Sequence, residues 1–152
     1  MDLKAQGLNA LVTGGTRGIG RAIVSAFLEE GVNVAFCARS ADAVTETVKA
    51  FAGQGARVHG SVVDVGDGDA ITSWVEASAV DLGGIDIVVS NVSALAIPDT
   101  EENWEATINV DLMGTVRLVK AAMPHLEKSH SGSIVTVSSV SGREVDFAAG
   151  PY

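Results

Sequence analysis

The chain has a single cysteine, Cys37, in 152 residues. One cysteine excludes an internal disulfide and any metal site built from several thiolates, and it fits a reducing compartment. Proline is scarce, with three prolines against 17 glycines, and aromatic residues make up only 5%. Together with 47% apolar residues this suits a compact, turn-rich chain rather than a disordered one. Basic residues are in the minority, 10 Lys and Arg against 19 Asp and Glu, giving a net charge of −9 with no Lys/Arg cluster. No nucleic acid and no membrane is therefore expected as a partner. No apolar run approaches the ~18 residues that a membrane span needs. The start, Met1-Asp2-Leu3-Lys4, lacks the basic segment and apolar run of a secretory leader. His59, His125 and His130 stand at no metal-ligand spacing, so no metal is expected. These absences leave a soluble, cytoplasmic protein of one-domain size.

What the chain does have is an alternation. Short β-branched runs at about 9–13, 33–38, 57–63, 86–90 and 133–138 are separated by helix-patterned stretches. The helices are expected at about 18–30, 42–52, from a cap at Asp67 or Asp69 to Leu82, and 101–127. The first should bury Ile19, Ile23, Ala26 and Phe27, and the third Ile71, Trp74, Val75, Ser78 and Leu82. The fourth is expected to run unbroken, with Ile108, Leu112, Val116, Val119, Met123 and Leu126 at spacings of three and four and Pro124 bending its last turn. Strands separated by helices, with little polar alternation inside the strands, predict an α/β fold. The expectation is a Rossmann-like doubly wound parallel sheet of about five strands in the order 3-2-1-4-5.

In that architecture ligands sit beyond the carboxyl ends of the strands. After the first strand comes Thr13-Gly14-Gly15-Thr16-Arg17-Gly18-Ile19-Gly20, which opens a helix. Glycines let the chain turn sharply and approach a pyrophosphate, whose charge meets the free N–H groups of the helix start. After the second strand stands Ala38-Arg39-Ser40. An NAD-preferring fold usually places an acid there; Arg39, with Arg17 nearby, suits a ribose 2′-phosphate and hence NADP over NAD. The same two arginines also read as solvated surface cations. After the third strand, Asp64-Val65 offers a carboxylate for an adenine amino group and an apolar side chain to pack on the ring; an ordinary turn or capping aspartate is the equal alternative. The fourth strand is followed by Ser90-Asn91-Val92-Ser93, the fifth by Ser138-Ser139.

Taken in order, Thr13-Gly14-xxx-Gly18-Ile19-Gly20, Asp64-Val65, Asn91, Asn109, Ser139 and Tyr152 resemble the short-chain dehydrogenase/reductase family, including its 3-oxoacyl-[acyl-carrier-protein] reductases. The resemblance covers the whole chain, and the thirteen-position separation of Ser139 and Tyr152 is the family's usual one. It implies an NADP-dependent oxidoreductase, with NADPH as the reduced form, acting on a small-molecule carbonyl or secondary alcohol. Ser139 would then bond the substrate oxygen, Tyr152 would give or take its proton, and Asn109 would hold a relay water through its backbone. The candidate cofactor-binding residues are Gly14, Thr16, Arg17, Gly18, Ile19, Gly20, Arg39, Ser40, Asp64, Val65 and Asn91. Each catalytic candidate has a plainer reading: Ser139 as a turn former, Tyr152 as a frayed end, Asn109 as a polar surface position.

Two departures from the family pattern stand out. The family usually has Asn-Asn-Ala-Gly where this chain has Ser90-Asn91-Val92-Ser93, so a side chain at Ser93 is expected to crowd a nicotinamide ribose or shift the backbone. The family's lysine four residues beyond the tyrosine, which lowers the tyrosine pKa, falls past Tyr152. The 152 residues are therefore expected to be the nucleotide-binding part of a longer enzyme, inactive by themselves, with the fifth strand an open apolar edge. The resemblance also implies that the long helix is half of a homodimer- or homotetramer-forming bundle in the full-length protein. A non-catalytic nucleotide-binding or interaction protein, and a purely structural α/β domain, are the alternatives.

Overall fold

The structure, a computed structural model, describes residues 4–144 and 150–152. Its strands are β1 (Asn9–Thr13), β2 (Asn33–Ala38), β3 (Val58–Val62), β4 (Ile87–Ser90) and β5 (Ser133–Thr136). They form one parallel sheet in the order β3-β2-β1-β4-β5, the order the sequence predicts. The helices are α1 (Gly18–Glu29), α2 (Ala41–Phe51), α3 (Gly68–Leu82), α4 (Glu101–Thr107) and α5 (Met113–Leu126).

Alternate residues of β1 face opposite sides of the sheet, as the period of two requires. Leu11 joins Cys37, Ile71, Trp74, Val75, Leu118 and Ala122 in the core beneath α3 and α5. Ala10 and Val12 join Val24, Leu28, Phe36, Val44 and Phe51 beneath α1 and α2. Short polar side chains start three of the helices: Ser40 accepts from the Ala43 N–H, Asp67 from Asp69 and Ala70, and Thr100 from Asn103. Glycine at positive φ, Gly31 at +77° and Gly83 at +89°, ends α1 and α3.

Several expectations are corrected. The fourth helix is not continuous. A π-helical turn, Ile108–Leu112, separates α4 from α5, and the Met113 N–H reaches back to the carbonyls of Ile108 and Asn109. One turn of five-residue bonds leaves the three-and-four spacing of the flanking segments nearly intact, so apolar periodicity does not register it. The buried face of α5 is Gly114, Leu118, Ala122 and Leu126, while Ile108, Leu112, Val116 and Met123 are exposed. Pro124 does fall in the last turn of α5, where the sequence placed it. The buried stripe of α1 is Gly20, Val24 and Leu28, one position round from the expected face, and Ile19 is 62% exposed. β5 ends at Thr136 rather than 138; all four of its residues are exposed, and among the described residues it pairs only with β4, the open edge expected. No helix among the described residues is long and apolar enough to cross a membrane.

Candidate functional site

The carboxyl end of β1 is a tightly folded corner. Gly14, at φ +75°, and Gly15 both donate their N–H groups to the Cys37 carbonyl, at 2.8 and 3.2 Å. A Cβ on Gly15 would stand 2.5 Å from Phe36 Cβ, and one on Gly20 would strike the Gly14 carbonyl. Gly18 differs: it holds φ +54°, but nothing lies within 4 Å of where its Cβ would be. Glycine there serves the backbone conformation and leaves open space above the loop. Arg17 begins α1 without a side-chain cap, so the N–H groups of the first turn are left for an anion. The cradle thus fits a pyrophosphate.

Arg17 is exposed, and Thr16 has its carbonyl 3.4 Å from Arg21 Nη1. Arg21, which the sequence reading passed over, also donates to Thr47 Oγ1 at 3.1 Å and lies 5.2 Å over the Phe51 ring. It ties the loop to α2. The parallel register Thr13↔Cys37 sets the end of β2 beside the loop, and Arg39 is exposed there. The Ser40 hydroxyl is engaged in capping α2. At the end of β3, Asp64 Oδ1 accepts the Gly66 N–H at 2.9 Å, a local turn, while the residue remains exposed. Val65 is 6% exposed and belongs to the core, so its side chain does not lie open for an adenine ring, contrary to expectation.

Beyond β4, Asn91 braces the corner from the other side. Its N–H donates to Thr13 Oγ1 at 2.9 Å and its Nδ2 to the Thr13 carbonyl at 3.0 Å. That Nδ2 stands 2.9 Å from where a Cβ on Gly14 would be. Thr13 is the partner that sequence reasoning missed; its place as the last residue of β1 was the available signal. Ser93 does not present its hydroxyl as a free obstruction: Oγ donates to Asp111 Oδ2 at 2.8 Å and accepts the Leu95 N–H at 3.0 Å. Leu95 sits at φ +52°, a left-handed conformation that costs a non-glycine residue about 1–2 kcal/mol.

Asn109 lies in the π turn and its side chain is engaged. Nδ2 donates to the Gly66 carbonyl at 3.3 Å, and Oδ1 accepts from Arg117 Nη1 at 2.8 Å. Its carbonyl receives the Met113 N–H and is 3.4 Å from Arg117 Nη1. Ser139 is half-buried, and its Oγ accepts the Ser141 N–H at 3.2 Å, starting a short 3₁₀ turn at Val140–Gly142. Tyr152 is half-buried, and Gly150, two residues earlier, donates its N–H to the Ile97 carbonyl at 3.2 Å. Among the described residues no hydrogen bond joins Asn109, Ser139 and Tyr152.

Cys37 is buried at the end of β2. Burial pushes its thiol up to about 12 against the opposing effect of a backbone hydrogen bond from Gly14, so it is an inert core residue. Among the described residues no group of three His, Cys, Asp or Glu side chains is placed to hold a metal ion.

Comparison with known proteins identifies the family and the fold. The family model for short chain dehydrogenases matches residues 8–152. Isoepoxydon dehydrogenase of Penicillium expansum is 44% identical over 145 residues, covering 91% of this chain and 55% of that protein. The 3-oxoacyl-[acyl-carrier-protein] reductase of Thermotoga maritima is 35% identical over 144 residues, covering 92% and 58%. A short chain dehydrogenase from Burkholderia cenocepacia, solved with NADP, superposes with a TM-score of 0.89 at 32% identity, covering 95% of this chain and 60% of that one. Carveol dehydrogenase from Mycobacterium avium, solved with NAD, gives 0.90 at 27% identity, covering 97% and 60%. The chain therefore spans just over half the length of these relatives.

Proposed function

The chain belongs to the short chain dehydrogenase family, and on that premise we propose that it is the nucleotide-binding part of an NADP-preferring oxidoreductase acting on a small-molecule carbonyl or secondary alcohol. The observation that carries the proposal is the corner at Gly14–Gly20: no room for side chains at Gly15 and Gly20, open space above Gly18, and an uncapped helix start. NADP, when bound, supplies or accepts the hydride. The protein's own residues hold it. The α1 N-terminus and loop N–H groups take the pyrophosphate, exposed Arg17 and Arg39 the 2′-phosphate, and Asp64 the adenine side. Thr16, Ser40 and Asn91 act by shaping the loops around it. Ser139 bonds the substrate oxygen and Tyr152 exchanges its proton, with Asn109 presenting its backbone to a relay water.

On this reading residues 1–152 form an incomplete NAD(P)-binding domain. The protein works in the cytoplasm as a homodimer or homotetramer. The exposed stripe Ile108, Leu112, Val116 and Met123 supports the assembly.

Fluorescence titration of the whole protein with NADPH and NADH tests the cofactor assignment. NADPH is expected to bind more tightly, and Arg39→Asp to shift the preference toward NADH; an unchanged ratio overturns the assignment. Binding of neither nucleotide defeats the functional reading as a whole. A second reading, a nucleotide-binding protein without turnover, is favoured by one observation, the engagement of Ser139 Oγ with Ser141. NADPH binding with no oxidation across a panel of small carbonyl compounds decides for it.

A further inference from the structure

We propose that Asp111 is a positioning residue that latches the loop after β4 onto the π turn, with Ser93 as its dedicated partner, and so sets the nicotinamide side of the cofactor cleft. The inference rests on the nucleotide-binding reading above. Both carboxylate oxygens of Asp111 are committed to one loop. Oδ1 accepts the Ala94 N–H at 2.6 Å, and Oδ2 accepts the Ser93 hydroxyl at 2.8 Å. Ser93 Oγ in turn receives the Leu95 N–H, so three consecutive residues, the last at positive φ, are held by one carboxylate and one hydroxyl.

The backbone of Asp111 is held as well. Its carbonyl accepts the Thr115 hydroxyl at 2.9 Å, and Thr115 Oγ1 lies 2.8 Å from the buried Ser90 Oγ at the end of β4. Asp111 is thus fixed to β4 through its carbonyl and to the loop after β4 through its carboxylate. A π turn adds one residue to a helical turn, and this one gives Asn109 and Asp111 separate duties. Asn109 reaches the loop after β3, through the Gly66 carbonyl and Arg117; Asp111 reaches the loop after β4.

The two loops border different halves of the cleft. In a doubly wound sheet of this order the adenine ribose lies at the end of β2, on the β3 side of the glycine loop, so the other mononucleotide half lies over β4 and β5. Releasing the latch should therefore weaken contacts to the nicotinamide half and spare those to the adenine half. A general loss of folding would weaken both.

The test uses the whole protein with two probes, NADPH and 2′,5′-ADP, the second lacking the nicotinamide half. Asp111→Ala and Ser93→Ala are each expected to weaken NADPH about tenfold, the scale of a lost hydrogen bond to a charged group, while 2′,5′-ADP affinity stays within about twofold. The double variant should be little worse than Asp111→Ala, because the two residues act as one unit. Asp111→Asn, which keeps an acceptor for the Ala94 N–H, should restore most of the affinity, and Ser93→Ala serves where Asp111→Ala does not fold. Equal weakening of both probes, or no change in NADPH affinity, overturns the proposal. If the unaltered protein binds neither probe, the nucleotide reading fails, and amide hydrogen exchange decides the latch separately. Faster exchange at Ala94 and Leu95 in Ser93→Ala supports it, and unchanged exchange overturns it.

Discussion

The carboxyl end of β1 and the carboxyl end of β5 are built to different standards. At β1 the backbone is locked from both sides: Gly14 and Gly15 donate to Cys37, Asn91 donates to Thr13, and Gly20 packs on the Gly14 carbonyl. At β5 all four residues are exposed, with Ile134 at 41% and Val135 at 46%, and among the described residues Ser139 Oγ bonds only its neighbour Ser141. A phosphate cradle consists of main-chain N–H groups in a fixed turn, and the turn is complete once its own neighbours are packed. Proton transfer needs side chains from separate segments within hydrogen-bond reach, and no bond among the described residues holds Ser139 and Tyr152 to each other. The glycine corner after β1 is self-supporting; the segment after β5 is not.

Substitutions can break this contrast or sharpen it. The largest effect is expected at Phe36, which is fully buried and packs against Gly15 and Gly60. Phe36→Ala should cost about 3–5 kcal/mol in urea unfolding. A loss below about 1 kcal/mol would mean that the β1–β2 corner is not the rigid half. Next is Gly20→Ala, whose methyl group meets the Gly14 carbonyl and Asn91 Nδ2. It should cost about 1–3 kcal/mol and weaken NADPH binding together with stability. Retained stability with full NADPH affinity would show that the corner gives way.

Cys37 supplies a smaller, pH-dependent effect. Its folded thiol is raised from 9.0 to about 12, so the folded state resists an ionisation that the unfolded chain undergoes. The stability contributed by the neutral thiol is fully present below about pH 9 and is lost as pH rises toward 12. The unfolding midpoint of the unaltered protein should therefore fall relative to that of Cys37→Ala between pH 9 and 11, and parallel curves would contradict the burial argument. The smallest effect is expected at the open edge: Val135→Ala, on a side chain 46% exposed, should change stability by less than about 0.5 kcal/mol. A loss of 2 kcal/mol or more in the whole protein would show that β5 is covered there and would end the contrast.

Much of the fold was legible from residue order alone. β1, β2 and β4 are short, mostly apolar runs, Asp67 and Gly83 mark the ends of α3, and the set Ile71, Trp74, Val75, Ser78 and Leu82 is buried as its spacing predicts. Local rules suffice where one segment's own pattern decides its face. They failed where two patterns overlapped. The apolar residues of the 101–127 segment read as one stripe, but its halves meet at a π turn; Leu126 is buried as expected, with Gly114, Leu118 and Ala122, while Ile108, Leu112, Val116 and Met123 are exposed. They failed again at α1, where Gly20 faces inward because only glycine fits against Gly14, which rotates Ile19 out to solvent. In the candidate site, Gly14 to Gly20, Arg39 and Asp64 were legible as the residues following strands. Arg21, Arg117 and Asp111 were not, because each acts on a partner distant in sequence.

The sequence by itself determined the strand order, the glycine corner and the family, since these depend on local periodicity, on residues without side chains and on motif spacing. Only the tertiary structure decided what the polar side chains between those landmarks are used for. Ser93 reads in sequence as a glycine replaced at a crowded place; in the fold it is half of a latch to Asp111, 18 positions away. Val65 reads as a surface for a ring and is core. A hydrogen bond needs its partner within about 3 Å, and for residues so far apart along the chain only the packed sheet brings them together.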